Sequence, residues 1–139
     1  MDEESLVTRR EDPLETLLGP LEQDVMDAVW KIGDATVRDV HDLLKAERQI
    51  AYTTVMTTMT RLAAKKMLER DTAGLAHRYS ATVSRDTYAR STVGHVLSWL
   101  LERYPEPAAS YLAEVVDEAA TVDLNQLRAA VARQRDTET

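Results

Sequence analysis

Five threonines crowd into the sixteen residues 52–67. Threonine is a mediocre helix former, and a surface chosen only for solubility carries Glu and Lys instead, so the cluster asks for a chemical reason. At about 100° per residue, Thr53, Thr57, Arg61 and Ala64 fall on one side of a helix, flanked by Thr54, Thr60 and Lys65. Val55, Met59 and Leu62 fall on the other. A threonine hydroxyl both donates to and accepts from base edges in a DNA major groove, and its methyl can lie against the methyl of thymine. Arg61, Lys65 and Lys66 follow where guanine or phosphate would be met. The spacing nominates Thr53, Thr54, Thr57 and Arg61 to read bases, with Tyr52, Lys65 and Lys66 on the backbone. A solvated helix whose threonines are accidental is the other reading of the same pattern.

A reading face needs elements that hold it. Gly19 suits a cap and Pro20 the first helical position, with Glu22 complementing the dipole, and Leu21, Val25, Ala28, Val29 and Ile32 form one stripe widened by Met26 and Trp30. A helix over 20–32, stopped by Gly33, is expected. Thr36-Val37-Arg38-Asp39 has capping-box spacing and leads into Val40, Leu43 and Leu44, a second short helix. Together with 52–67 it makes a helix-turn-helix pattern. Segments 68–72 and 76–80 around Ala73-Gly74-Leu75 then suit a hairpin, which completes a winged helix. His77 and Arg78 are placed to touch backbone or minor groove, Arg78 serving equally as a surface ion-pair partner, and Tyr79 points to the core.

Residues 84–104, 107–120 and 123–135 read as three more amphipathic helices, separated first by Pro105 and Pro107 and then by an Asp123 and Gln126 cap. Val93, Val96, Leu97, Leu100, Leu101 and Tyr104 recur at helical spacing, as do Tyr111, Leu112, Val115 and Val116, and then Leu124, Leu127 and Val131. Three such faces exceed what a domain of about 60 residues covers, so they are expected to build a homodimer; packing on the winged helix is the bland reading. The fold class expected is mainly α with a small β-hairpin wing. Residues 1–18 would be a flexible acidic arm, 19–82 the winged helix-turn-helix domain and 83–139 the helical dimerisation domain.

Composition narrows the function classes. The chain has 139 residues, no Cys, no Phe and four Gly, which favours helix and excludes disulfides and thiolate chemistry. His41, His77 and His95 lie far apart without metal-ligand spacing, and no nucleophile, phosphate loop or cofactor fingerprint is visible. We expect no enzyme, no metal, no cofactor and no membrane segment, and a cytoplasmic protein. The formal charge of −7 argues against nucleic acid until it is counted by segment: residues 51–80 carry +3 and residues 105–139 carry −4. Phosphate contact, if any, belongs to the basic stretch.

These blocks resemble the penicillinase repressor family of the BlaI/MecI type. Leu21-Glu22, Val25-Met26 and Val29-Trp30, then Thr36-Val37-Arg38-Asp39-Val40, then Tyr52-Thr53-Thr54-Val55 with Thr60-Arg61-Leu62 and Lys65, then Gly74 with Ala76-His77-Arg78-Tyr79-Ser80 stand in family order. The resemblance implies a homodimeric repressor of beta-lactamase or related genes, bound to palindromic operators with TACA and TGTA half-sites. It also implies a sensor-linked protease that cleaves an Asn-Phe bond in a dimerisation helix. Glu114-Val115 stands at that bond here, and Ile50-Ala51 stands where an aromatic and a Ser often precede the reading helix, which makes Thr53 a substitute cap. Some members have Lys at the first reading position, where this chain has Thr53. A winged-helix regulator that senses a small molecule, and a winged-helix protein-interaction module, are the alternatives.

Overall fold

The computed structural model of the chain describes residues 17–118, 125 and 128–133. The acidic arm, apart from residues 17 and 18, lies outside these residues, as do Leu124 and Leu127. The chain divides at Val93 and Gly94 into two compact units.

Helix α1 (Pro20–Ile32) begins as its sequence demands. Pro20 has no amide hydrogen to lose at the first position, Gly19 is extended, and its N–H donates to Glu22 Oε1 at 3.2 Å. The helix stops at Gly33, whose φ of 101° lies where a side chain is strained. Strand β1 (Ala35–Thr36) follows and was not expected, because two residues carry no period of their own. Helix α2 (Val37–Lys45) opens on a reciprocal cap: Asp39 N–H donates to Thr36 Oγ1 at 3.1 Å, and Thr36 N–H donates to Asp39 Oδ2 at 3.0 Å.

Helix α3 (Tyr52–Ala64) is three residues shorter than its pattern. Lys65 caps it, Lys66 turns left-handed at φ 67°, and Met67 N–H donates back to Leu62 O at 2.9 Å while Lys66 N–H donates to Ala63 O at 3.0 Å. This paired closure usually takes glycine at the left-handed position. Here a lysine is held there, with Thr82 Oγ1 donating to Lys66 O at 2.8 Å and Met67 packed on the core.

Strands β2 (Leu68–Asp71) and β3 (Arg78–Ala81) form the wing, and β1 joins β3 on its other edge, giving an antiparallel sheet of order β1-β3-β2. The register sets Arg70 beside Tyr79, and Ala35 beside Tyr79 on the other side. The second wing strand therefore runs two residues later than the 76 start expected from sequence, and the turn is correspondingly longer. The core is Val25, Met26, Val29, Val40, Val55, Met59 and Leu62, with Leu68 and Tyr79 closing it from the sheet. Burying each such aliphatic side chain is worth roughly 1.5–3 kcal/mol, so three amphipathic helices and a small sheet suffice for one compact unit.

Helix α4 (Arg85–Arg103) starts within this first unit, which extends past residue 82 because α1 grips the start of α4. Trp30 Nε1 donates to Val83 O at 2.9 Å, its ring lies 5.8 Å from Tyr88, and Asp27 accepts from Arg85 at 3.4 Å. Helix α5 (Pro105–Glu118) belongs to the second unit; Pro105 is its first residue rather than a break inside a loop. Residues 128–133 are helical as well, and Tyr111 Oη donates to Val131 O at 3.1 Å.

Candidate nucleic-acid interface

The two sides of α3 have opposite environments. Val55, Met59 and Leu62 are fully buried, while Thr53, Thr54, Thr57, Thr60 and Arg61 are exposed. Thr58 departs from the other threonines: it is 3% exposed, and its hydroxyl donates to Thr54 O at 2.8 Å. That hydroxyl is satisfied inside the helix, so Thr58 is a packing residue and four threonines, not five, face outward. Met56, which shares the apolar spacing, is 41% exposed.

The start of α3 has no side-chain cap at Ala51, and no hydrogen bond from Thr53 replaces it among the described residues. The preceding turn is fixed differently. A carbonyl oxygen can only accept, so His41 Nε2 carries the hydrogen in its 2.8 Å contact with Ile50 O, and the imidazole meets the Tyr52 ring edge-on at 5.7 Å. Tyr52 is thereby held at the entrance of the helix, 45% exposed.

Lys65 has a partner that spacing did not reveal. Its ammonium donates to both oxygens of Glu22, at 3.0 and 2.8 Å, and the Glu22 side chain is only 10% exposed. The Lys65 hydrogen bond, and after it the Gly19 amide and the charges of Lys65 and Arg61, hold the Glu22 carboxyl below its ordinary value of 4.5 against the opposing effect of burial. The pair ties the C-terminal end of α3 to the N-terminal end of α1. Lys66 is exposed and unpaired among the described residues.

On the wing, His77 is exposed at the end of the turn, and Arg78 lies 3.9 Å from Asp34, a loose contact. Between the wing, α3 and the start of α2 runs an open groove of about 690 Å³. Its lining includes Tyr52, Thr60 and His77, which sequence reasoning placed near the interface, and also Arg38, Met56, Arg70 and Leu75, which it did not. No carboxylate of the described residues lines it. The residues expected to form the dimer are different in character: Val93, Leu97, Leu101, Tyr104, Leu112, Val116 and Val131 are exposed, Val96, Leu100 and Tyr111 are half-buried, and Val115 alone of those described is buried. α4 buries no residue fully.

A family model described as penicillinase repressor matches residues 18–133. The chain belongs to this family. It is 36% identical over 118 residues to the transcriptional regulator BlaI of Mycobacterium tuberculosis, covering 84% of each chain. A 16.5 kDa protein of Latilactobacillus sakei is 37% identical over 62 residues, 45% of this chain and 42% of that one. A more distant likeness is a crystal structure of a transcriptional regulator, with TM-score 0.45 and 15% identity over 86% of this chain and 95% of that one.

Members of the penicillinase repressor family are DNA-binding transcriptional regulators, not enzymes, and this chain is a repressor of that type. In that light the residues overlooked in the sequence are instructive. Arg38 was legible as part of a capping box and Arg70 as a strand residue, but neither neighbours α3 in sequence. Only the antiparallel pairing of β2 with β3, and of β3 with β1, carries them to one groove. No described helix of this penicillinase repressor family member is long and apolar enough to cross a membrane.

Proposed function

We propose that this repressor acts as a homodimer on a palindromic operator with TACA- and TGTA-like half-sites, and that it controls a beta-lactamase or related gene. The observation that carries the reading is the outward face of α3: Thr53, Thr54, Thr57 and Arg61 exposed together on a helix whose opposite side is locked in the core. In the major groove these four read bases. Tyr52, Lys66, His77 and Arg78 meet the backbone. Lys65, engaged with Glu22, contributes chiefly by holding the end of α3 in place.

The dimer rests on the exposed apolar positions of α4 and α5, from Val93 and Leu97 to Leu112 and Val116, which a solitary chain would leave in water. A two-fold axis then duplicates the reading helix and makes the operator palindromic. An apolar cleft of about 400 Å³ lined by Leu97, Leu100, Tyr104, Pro107 and Leu112 belongs to the same surface.

Release by cleavage at Glu114-Val115 is not part of the proposal. That bond lies inside α5, Val115 is 4% exposed, and neither flanking residue is the Asn or Phe of the relatives' cleavage site. The deciding experiment is a mobility-shift titration on the chain's own upstream region across a salt series, with sedimentation at micromolar concentration. Steeply salt-dependent binding of a dimer to a palindrome supports the reading; a monomer, or binding indifferent to sequence and salt, overturns it.

A further inference from the structure

The groove between α3 and the wing stands out in a protein whose formal charge is −7. Arg38 enters it from α2, Arg70 from β2 and His77 from the end of the wing turn, and no Asp or Glu among the described residues shares the lining. Neither the Arg38 nor the Arg70 guanidinium has an ion pair or hydrogen bond among the described residues, although Arg48, Arg78, Arg85 and Arg90 each have a carboxylate. At the rim stands Leu75, with a relative exposure of 109%, more exposed than any other large apolar residue described. Its turn is shaped from within, since Ala73 N–H donates to Asp71 Oδ1 at 2.9 Å. An aliphatic side chain thus stands at the tip of a braced turn, beside two arginines that are unpaired among the described residues.

We propose that this groove seats one sugar–phosphate strand of the DNA duplex, with Arg38 and Arg70 each on a phosphate and Leu75 reaching past that strand into the minor groove. The assignment rests on the repressor reading and extends it to residues outside α3. When α3 lies in the major groove, the strand bordering that groove must pass between α3 and the wing. The charge of the groove matches a polyanion, and its Tyr52, Met56 and Leu75 surfaces suit the apolar faces of deoxyribose. Apolar side chains placed in the minor groove against sugars or base steps are a recurrent device, and guanidinium groups suit phosphate geometry through paired N–H donors.

The test uses the full chain and two duplexes, its upstream palindrome and a random sequence, over a salt series. Arg38→Ala and Arg70→Ala should each lower the slope of log K against log salt by about 0.9 and weaken both duplexes alike. Arg38→Lys and Arg70→Lys should restore the slope. A methylphosphonate at the phosphate facing each arginine should weaken the wild-type chain but not the matching Ala variant. Leu75→Ala, at a position with no packing to lose, should weaken binding roughly three- to tenfold with the slope unchanged. Unchanged slopes in the Arg variants, with wild-type binding intact, overturn the groove assignment alone; so does a Leu75→Ala chain that binds as wild type. A wild-type chain without salt-dependent duplex binding overturns the repressor reading itself.

Discussion

The winged unit carries two grooves that oppose each other in charge logic. One, between α3 and the wing, holds Arg38, Arg70 and His77 and, among the described residues, no carboxylate. The other, about 310 Å³ between α1 and α2, holds Lys31 and Arg48 with Asp24, Asp27 and Glu47. In the second groove Arg48 lies 3.1 Å from Asp24, so this cation is answered within the protein. In the first, Arg38 and Arg70 are unanswered among the described residues. Net charge therefore says little about whether a protein meets DNA; which cations are already neutralised by the fold says more. Lys65 shows how the rule cuts across proximity, since it sits at the end of α3 and yet belongs with the paired cations.

The comparison predicts that cations left unpaired, or paired as loosely as Arg78, govern DNA binding without touching stability, and that closely paired cations do the reverse. The largest effect is expected from reversing the unpaired charges: Arg38→Glu with Arg70→Glu should weaken duplex binding on the order of a hundredfold at moderate salt, with an unchanged melting temperature. Fluorescence anisotropy and thermal melting on the same samples measure both. An equal loss from Arg48→Glu in the α1–α2 groove would break the comparison outright.

Next in size is the reading face. Thr57→Ala should cost roughly 1–3 kcal/mol on the operator and almost nothing on random DNA. Competition between the two duplexes is the readout, and equal losses on both would move Thr57 from base reading to backbone contact.

Lys65 sharpens the contrast from the other side. Lys65→Met should lower folding stability by roughly 1–2 kcal/mol, less than a fully buried pair because the lysine is 46% exposed, and leave the salt slope of DNA binding in place. The pH dependence has a definite sign. Because Glu22 is held below 4.5 in the folded protein, its contribution is fully present above that value and is lost as pH falls through the lower folded value. Asp39, lowered from 3.8 by the Thr36 backbone and hydroxyl bonds, weakens in the same direction. Urea melts from pH 7 down to pH 3 should show the acid loss reduced in the Lys65→Met chain; an identical acid profile would remove the pair from the account.

The smallest effect concerns Lys66, an unpaired cation in a left-handed turn. Lys66→Gly should raise stability by roughly 0.5–1 kcal/mol by removing the Cβ strain while weakening duplex binding modestly. A stability loss would mean that glycine's extra freedom in the unfolded chain outweighs the relief of strain at this angle.

Much of the fold was visible in the chain as written, and for reasons that are local. Gly19-Pro20 with Glu22, and Thr36 with Asp39, specify helix starts because capping needs only residues three apart. The buried stripe of α3 and the outward Thr53, Thr57 and Arg61 follow from 3.6 residues per turn. Its early end at Ala64 did not follow, since a lysine rather than a glycine takes the left-handed position.

By itself, then, the sequence determined the helices of the winged unit, the existence of a wing and which side of α3 would face outward, since each of these depends on periods and caps within a few residues. The tertiary structure decided the rest: that Thr58 turns inward, that Lys65 is spent on Glu22, that Ala35 and Thr36 join the sheet, and that Arg38 and Arg70 share one groove. Ion pairs and grooves join residues dozens of positions apart, such as Glu22 with Lys65, and periodicity along the chain carries no information about which distant charges the packing will bring within 3 Å.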